Sequence, residues 1–159
     1  MATAPRDYAK RPHLAPGLIA VAYDGTPEAE AALGHAESLG LSTGARLRLL
    51  TVAAVPATPA TMLGYTPPMP KSPAEVLADG LATLDPAIDA ETRVLHGDSI
   101  PEAIVADCGE EVDLLVVGSR GYGAFSRVMI GSVAAGLIHE ARCPVLVAPR
   151  PRREQTSAD

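Results

Sequence analysis

Short apolar runs alternate with segments of helical periodicity along most of the chain. The runs lie at residues 18–23, 47–55, 92–95, 114–117 and 144–149, and most of them consist largely of Val, Leu, Ile and Ala. Runs without polar alternation are typical of strands that are buried on both faces, as in parallel sheets. The pattern therefore predicts five strands, with a helix between each strand and the next.

Capping residues predict where the helices begin. Thr26 and Pro27 are typical of an N-cap and a first helical position, and Gly40 is expected to end that helix. Residues 72–75 and 99–102 both fit the capping box, in which a Ser and a Glu side chain bond reciprocally to each other's backbone.

The strict alternation of strands and helices predicts a doubly wound α/β fold. Right-handed crossovers place helices on both faces of one five-stranded parallel sheet of the Rossmann-like type, in the order 3-2-1-4-5. Ligands of such sheets bind beyond the carboxyl ends of the strands, at the switch point between the first and fourth strands. Asp24, Val52 and the glycine-bearing loop after the fourth strand are expected to meet there.

The chain has 159 residues, which fits one domain. Residues 17–150 are expected to form this domain, with residues 1–16 as a disordered arm and residues 151–159 as a flexible tail. Residues 56–70 are rich in Pro, Thr, Ala and Met and are expected to form a long surface loop or lid.

The net charge argues against some classes of partner, and the spacing of the cysteines and histidines argues against a metal site. A net charge of −6 argues against binding to nucleic acid or to an anionic membrane surface, because both repel an acidic protein. With neither an apolar leader nor a run of roughly 20 apolar residues, the protein is expected in the cytoplasm. Cys108 and Cys143 show no zinc or CxxC spacing and are predicted to be buried, reduced thiols. The four histidines share no metal-ligand spacing, so no metal site built from them is expected.

The loop after the fourth strand has the residue types of a phosphate site. Gly118 and Gly121 lack a Cβ, so their backbone can approach a ribose or phosphate closely. Gly131 and Ser132 open a helix, where free N–H groups and the helix dipole attract an anion. The Ser132 hydroxyl has two open roles, as a helix cap or as a donor to a phosphate oxygen. The loop is no P-loop, and a GxGxxG pattern fails at Ser126.

The spacing of Gly118, Gly121, Gly131 and Ser132 closely resembles the ATP-binding motif of universal stress proteins. The likeness covers residues 18–149 and includes the Val-Ala-Tyr-Asp-Gly-Thr opening, the His-Gly-Asp turn at 96–98 and the closing Cys-Pro-Val-Leu-Val. This resemblance implies the adenine nucleotide alpha hydrolase-like version of the predicted fold.

The resemblance also implies ligand contacts, residue by residue. In ATP-binding members the aspartate that ends the first strand lies near the nucleotide, and Asp24 matches it. The Val that ends the second strand contacts adenine through its backbone, as Val52 would. The residue before the first glycine touches the ligand, and the residue after the Ser gives a backbone N–H to phosphate; Val117 and Val133 hold these places. The candidate contacts are Ala22, Asp24, Val52, Val117, Gly118, Arg120, Gly121, Gly131, Ser132 and Val133.

Simpler interpretations stay open for several of these residues. Asp24 also fits a turn residue or the cap of its helix. Arg120 and Arg127 fit either the neutralisation of a triphosphate or a solvated surface. Ala22 stands where some ATP-binding members have a larger residue.

The resemblance implies a stress-response sensor or regulator that binds ATP, ADP or AMP, with any Mg²⁺ held by phosphate oxygens and water. It also implies a homodimer formed through the last strand, Val145 to Ala148. Two alternatives remain, a slow ATP hydrolase and an interaction module of the same fold that binds no nucleotide. No Ser-His-Asp or paired-carboxylate constellation stands out, so at most weak ATPase activity is expected.

Overall fold

The computed structural model describes residues 15–53, 71–119 and 130–149. Strands and helices alternate strictly through these residues, as the sequence pattern predicts. In chain order the elements are β1 (Leu18–Ala22), α1 (Pro27–Thr43), β2 (Arg46–Ala53), α2 (Pro73–Thr83), β3 (Ala90–His96), α3 (Ile100–Cys108), β4 (Leu114–Gly118), α4 (Ser132–Glu140) and β5 (Val145–Ala148).

The five strands form one parallel sheet in the order β3-β2-β1-β4-β5, which confirms the predicted topology. β1 is central: its Val21 pairs with Leu49 of β2 on one side and Val116 of β4 on the other. β5 lies at one edge, next to β4.

Each face of the sheet carries its own core. Ile19 and Val21 pack with α1 and α2, whereas Leu18 and Ala20 pack with α3 and α4. All four side chains are at least nine-tenths buried. The continuous apolar run of β1 therefore reflects a strand that is covered on both faces.

The first helix is longer than the sequence predicts. Gly40 does not end α1; it is buried inside the helix, and a Cβ added there would lie 3.0 Å from Cδ1 of Ile88. The helix ends at Gly44, whose φ of 75° is left-handed and whose N–H donates to the Gly40 carbonyl at 2.8 Å. Gly40 thus serves close packing, and Gly44 is the C-cap.

The capping boxes are borne out once in full and once by half. At α2 the Ser72 hydroxyl accepts from the N–H of Glu75 at 3.3 Å, and the Glu75 carboxylate accepts from the N–H of Ser72 at 2.7 Å. At α3 the Ser99 hydroxyl accepts from the N–H of Glu102 at 3.4 Å, and the reciprocal bond is not formed.

Three segments predicted from the sequence lie largely or wholly outside the described part of the chain. Most of the predicted arm and tail, at 1–14 and 150–159, and the Pro-rich segment 56–70 lie outside the described residues. Within the described residues, no helix has the length and apolar character needed to cross a membrane. Neither Cys108 nor Cys143 forms a disulfide, and Cys108 is buried, as predicted, whereas Cys143 is half-buried.

Gly34→Ala is predicted to raise the free energy of unfolding by about 1 kcal/mol. Gly34 lies inside α1 on its exposed side, and a Cβ added there meets no atom within 4 Å. Alanine therefore gains helix propensity without a clash. Urea unfolding at neutral pH measures the change, and a loss of stability would contradict the open environment of this residue.

Candidate functional site

A pocket opens at the carboxyl edge of the sheet, between the ends of β1, β2 and β4 and the first turns of α1, α3 and α4. It encloses about 640 Å³, which includes space open to solvent. Seven of the ten predicted contacts line it: Ala22, Asp24, Val52, Val117, Gly118, Gly131 and Val133.

Strand register brings these distant segments together. Ala22 is paired with Leu50, and the N–H of Tyr23 donates to the Leu50 carbonyl at 2.8 Å, so β1 and β2 reach the pocket at the same level. On the other side, Gly118 at the end of β4 is paired with Ala148 of β5. Side chains that the chain separates by almost 100 residues thus share one edge, where doubly wound folds place their ligands.

Asp24 forms the turn that connects β1 to α1. Its carboxylate accepts from the backbone N–H of Thr26 at 3.0 Å and from the Thr26 hydroxyl at 2.6 Å. Thr26 in turn caps α1 by accepting from the N–H of Ala29 at 3.2 Å. The turn interpretation of Asp24 is therefore correct, and the same residue also lines the pocket.

Gly118 lacks a side chain for a reason that differs from the predicted one. A Cβ at this position would lie 2.5 Å from the backbone oxygen and 2.6 Å from the backbone carbon of Glu28. The end of β4 is packed directly against the first turn of α1. In the described structure, it is the α1 backbone that requires glycine here.

The N-terminus of α4 has no side-chain cap. Its N-cap is Gly131, in an extended conformation, and no side-chain hydrogen bond is formed there. Thr26, Ser72 and Ser99 cap the other three described helices. Ser132 is the first helical residue, and its hydroxyl forms no cap, so the cap alternative for this residue is wrong. Ser132 also does not line the pocket. Its role as a phosphate donor stays a prediction.

Tyr23 lies beside the site and is fixed from two sides. Its hydroxyl donates to a carboxylate oxygen of Glu30, and the added Cβ of a residue at Gly80 would lie 2.7 Å from its ring. Burial, together with the hydrogen bond to Glu30 and its negative charge, raises the pKa of Tyr23 far above its usual value. The hydroxyl therefore stays protonated at neutral pH and supports α1 at the pocket edge.

Some lining residues are not marked by any motif in the sequence. Thr51 precedes the predicted Val52, and Ile100 and Ile104 come from the first turns of α3. Ile104 is buried, whereas Ile100 is 43% exposed. In the sequence, the capping pattern at Ser99 indicates the position of Ile100 and Ile104, because it predicts that a helix begins at the carboxyl end of β3.

The described charges at the pocket are acidic. Asp24 and Glu28 both line it. Arg120 and Gly121, which were predicted as contacts, lie outside the described residues, as do Tyr122, Phe125 and Arg127. Among residues 15–53, 71–119 and 130–149, no group of three or more His, Cys, Asp and Glu side chains could hold a metal ion.

Comparison with known sequences identifies relatives of this chain. The model of the universal stress protein family matches residues 18–149. The universal stress protein in the QAH/OAS sulfhydrylase 3′ region of Thermus aquaticus is 35% identical over 136 residues, covering 81% of this chain and 96% of that protein. A universal stress protein of Methanocaldococcus jannaschii is 34% identical over 67 residues, covering 42% of this chain but only 39% of that relative's length.

Solved structures show the same fold. One is a universal stress protein in complex with cAMP, with a TM-score of 0.61 and 21% identity, covering 86% of this chain and 98% of that one. Another is a universal stress protein family protein of Arabidopsis thaliana with AMP bound, with a TM-score of 0.64 and 21% identity, covering 89% and 97%. At these identities the likeness establishes the fold.

Proposed function

The chain belongs to the universal stress protein family, and we propose that it binds an adenine nucleotide in the pocket between β1 and β4. One observation carries the proposal: the uncapped N-terminus of α4 faces a pocket that the ends of three strands form. Free N–H groups and the positive end of a helix dipole bind phosphate readily. Structural neighbours with cAMP, AMP or dAMP bound support the choice of an adenine nucleotide.

The phosphates are placed at the first turn of α4. Gly131, Val133 and Ala134 line the pocket, and in the first turn of a helix the N–H groups have no partner within the helix. Ser132 and the undescribed Gly121 complete the proposed phosphate contacts.

We place the base on the apolar part of the pocket lining. This part includes Ala22, Val52, Ile100, Ile104 and Val117. All five side chains are apolar, so stacking an aromatic base on them removes apolar surface from water. The end of β2 supplies backbone groups that suit the polar edge of adenine.

The choice among ATP, ADP and AMP depends on charge. Asp24 and Glu28 are acidic and line the pocket. We propose that ATP binds as its Mg²⁺ complex, with Arg120 offsetting part of the phosphate charge, and that AMP binds without metal.

Binding is favoured over hydrolysis. Hydrolysis requires a base or a residue that orients water. The Asp24 carboxylate already accepts two hydrogen bonds from Thr26, which ties it to its turn. We therefore propose a nucleotide-responsive sensor or regulator.

Two further assignments complete the proposal. The edge strand β5 pairs with β4 on one side, and we propose that its other side pairs with a second copy of the chain through Val145 to Ala148. Cys108 and Cys143 form no disulfide in the described structure, which is typical of a reducing compartment, and we propose a cytoplasmic protein.

Isothermal calorimetry and thermal unfolding with AMP, cAMP and ATP with Mg²⁺ test the function. At a ligand concentration of about 100 times Kd, binding stabilises the folded protein by about 2.7 kcal/mol, which is easily measured. GMP is the control for the base and inorganic phosphate for the anion alone. If no adenine nucleotide gives binding heat or stabilisation, the alternative of an interaction module that binds no nucleotide is supported. Release of phosphate from ATP would support the alternative of a slow hydrolase.

A further inference from the structure

A buried arginine lies beneath helix α3, on the face of the sheet that carries the pocket. The side chain of Arg48 in β2 is only 4% exposed. Its guanidinium donates to Glu91 of β3 at 2.5 Å, to Glu111 at 3.1 Å and to Asp107 of α3 at 3.5 Å. Arginine is rarely buried unless it is paired, and here three carboxylates surround it.

This ionic group and the nucleotide pocket share two elements. Side chains alternate along a strand, so Arg48, Leu50 and Val52 lie on the same face of β2, and the last two line the pocket. On α3, Ile104 lines the pocket and Asp107, three residues later, bonds to Arg48. Positions three residues apart are neighbours on one helix face.

We infer that Arg48 is a positioning residue of the nucleotide site, because it fixes α3 so that Ile100 and Ile104 form the wall of the pocket. This inference rests on the proposed nucleotide binding. Apolar contact alone is non-directional and allows a helix to shift along a sheet. A guanidinium with carboxylates on two elements fixes direction and distance.

Neighbouring arginines hold the Glu91 carboxylate in its charged form. Arg93 of β3 donates to Asp107 at 3.0 Å and lies 3.6 Å from Glu91. The hydrogen bond from Arg48, followed by the charges of the arginines around it, lowers the pKa of Glu91 below its usual value. At neutral pH Glu91 is therefore charged beside Arg48.

Arg48→Met is the decisive variant. Methionine has a similar volume and removes the buried cation. Glu91 and Asp107 keep their contacts with Arg93, and Glu111 is largely exposed, which limits the loss of stability that removing one partner of a buried ion pair causes. We expect the affinity for AMP, measured by calorimetry, to fall by about tenfold. Arg48→Lys keeps the charge but lacks the planar guanidinium, and it is expected to recover only part of that loss. Amides 103–106 in α3 are expected to exchange hydrogen about tenfold faster in Arg48→Met, with α1 unchanged.

Arg46→Met is the matched control. Arg46 lies on the same strand and pairs with Asp89, which precedes β3, and with Glu91 of β3. It is half exposed and has no described contact with α3. Its replacement is expected to leave both readouts unchanged. If Arg48→Met fails to fold, Asp107→Asn tests the same link, since Arg48 then keeps Glu91 and Glu111.

The outcomes separate this inference from the proposed function. The role of Arg48 is overturned if the folded variant binds AMP as tightly as the parent and its α3 amides exchange hydrogen at the parental rate. The variant is Arg48→Met or its substitute Asp107→Asn. If the parent protein binds none of AMP, cAMP and ATP with Mg²⁺, the proposed function fails. Hydrogen exchange in α3 then still decides whether Arg48 fixes the helix: faster exchange supports it, and unchanged exchange overturns it.

Discussion

Gly118→Ala is expected to lower the free energy of unfolding by about 3 kcal/mol, the upper end of what overpacking usually costs. The new Cβ would lie 2.5 Å from the carbonyl oxygen of Glu28 and 2.9 Å from its Cβ. Real Cβ atoms do not approach other atoms this closely. Either α1 or the end of β4 must move.

Backbone cannot rotate away as a side chain can. The first turn of α1 is held by the Thr26 cap and by packing of Ala29, Ala32 and Leu33 in the core. β4 is held by its ladders with β1 and β5. Both elements are fixed, so the strain is expected to reduce stability rather than to relax locally.

Urea unfolding of the parent, Gly118→Ala and Gly34→Ala measures the effect. The two variants carry the same chemical change, one against backbone and the other into open space. Opposite signs are expected. Equal stabilities for Gly118→Ala and the parent would show that α1 does not press on β4 and would restore the ligand as the reason for glycine.

The fold class was predictable because strict alternation of strands and helices fits few architectures. Five apolar runs separated by helices indicate a parallel sheet covered on both faces, whereas the order 3-2-1-4-5, with its switch point between β1 and β4, is one of several that doubly wound sheets adopt. Residues at the strand ends, such as Asp24, Val52 and Gly118, could therefore be placed at the carboxyl edge of the sheet from the sequence alone.

What the pattern leaves open is what each residue packs against. Gly40 and Gly44 look alike as helix stops, and only the position of Ile88 shows that Gly40 fills a packing role. Arg48 stands within an apolar run, and nothing nearby in the sequence reveals the carboxylates of β3 and α3 that surround it. Contacts between elements distant in the chain decide these cases.

Gly131→Val is expected to weaken AMP binding at least about 100-fold, which corresponds to about 2.7 kcal/mol. Gly131 is the N-cap of α4 with φ −63° and ψ 162°, a conformation that valine adopts without strain. An N-cap side chain lies over the N–H groups two and three residues later. Here these belong to Val133 and Ala134, which line the pocket. Valine would cover, with carbon, the donors that the phosphate needs.

The fold should survive this substitution. Valine is a poorer N-cap than glycine, so a loss of about 1 kcal/mol or less is expected. Calorimetry with AMP measures the affinity, and the far-ultraviolet circular dichroism and unfolding midpoint report the fold. Ala135→Val adds the same branched side chain to an exposed position of the same helix and is expected to bind as the parent does.

Gly131→Ser distinguishes blocking from loss of the helix end. A serine hydroxyl can accept from the same N–H groups, which stabilises α4 while it competes with the phosphate. We expect a more stable protein that binds AMP more weakly than the parent. Stability and affinity would then change in opposite directions, which damage to the fold cannot produce. If both Gly131 variants bind AMP as tightly as the parent does, the phosphate does not bind at the N-terminus of α4. The geometric basis for the proposed nucleotide binding is then lost.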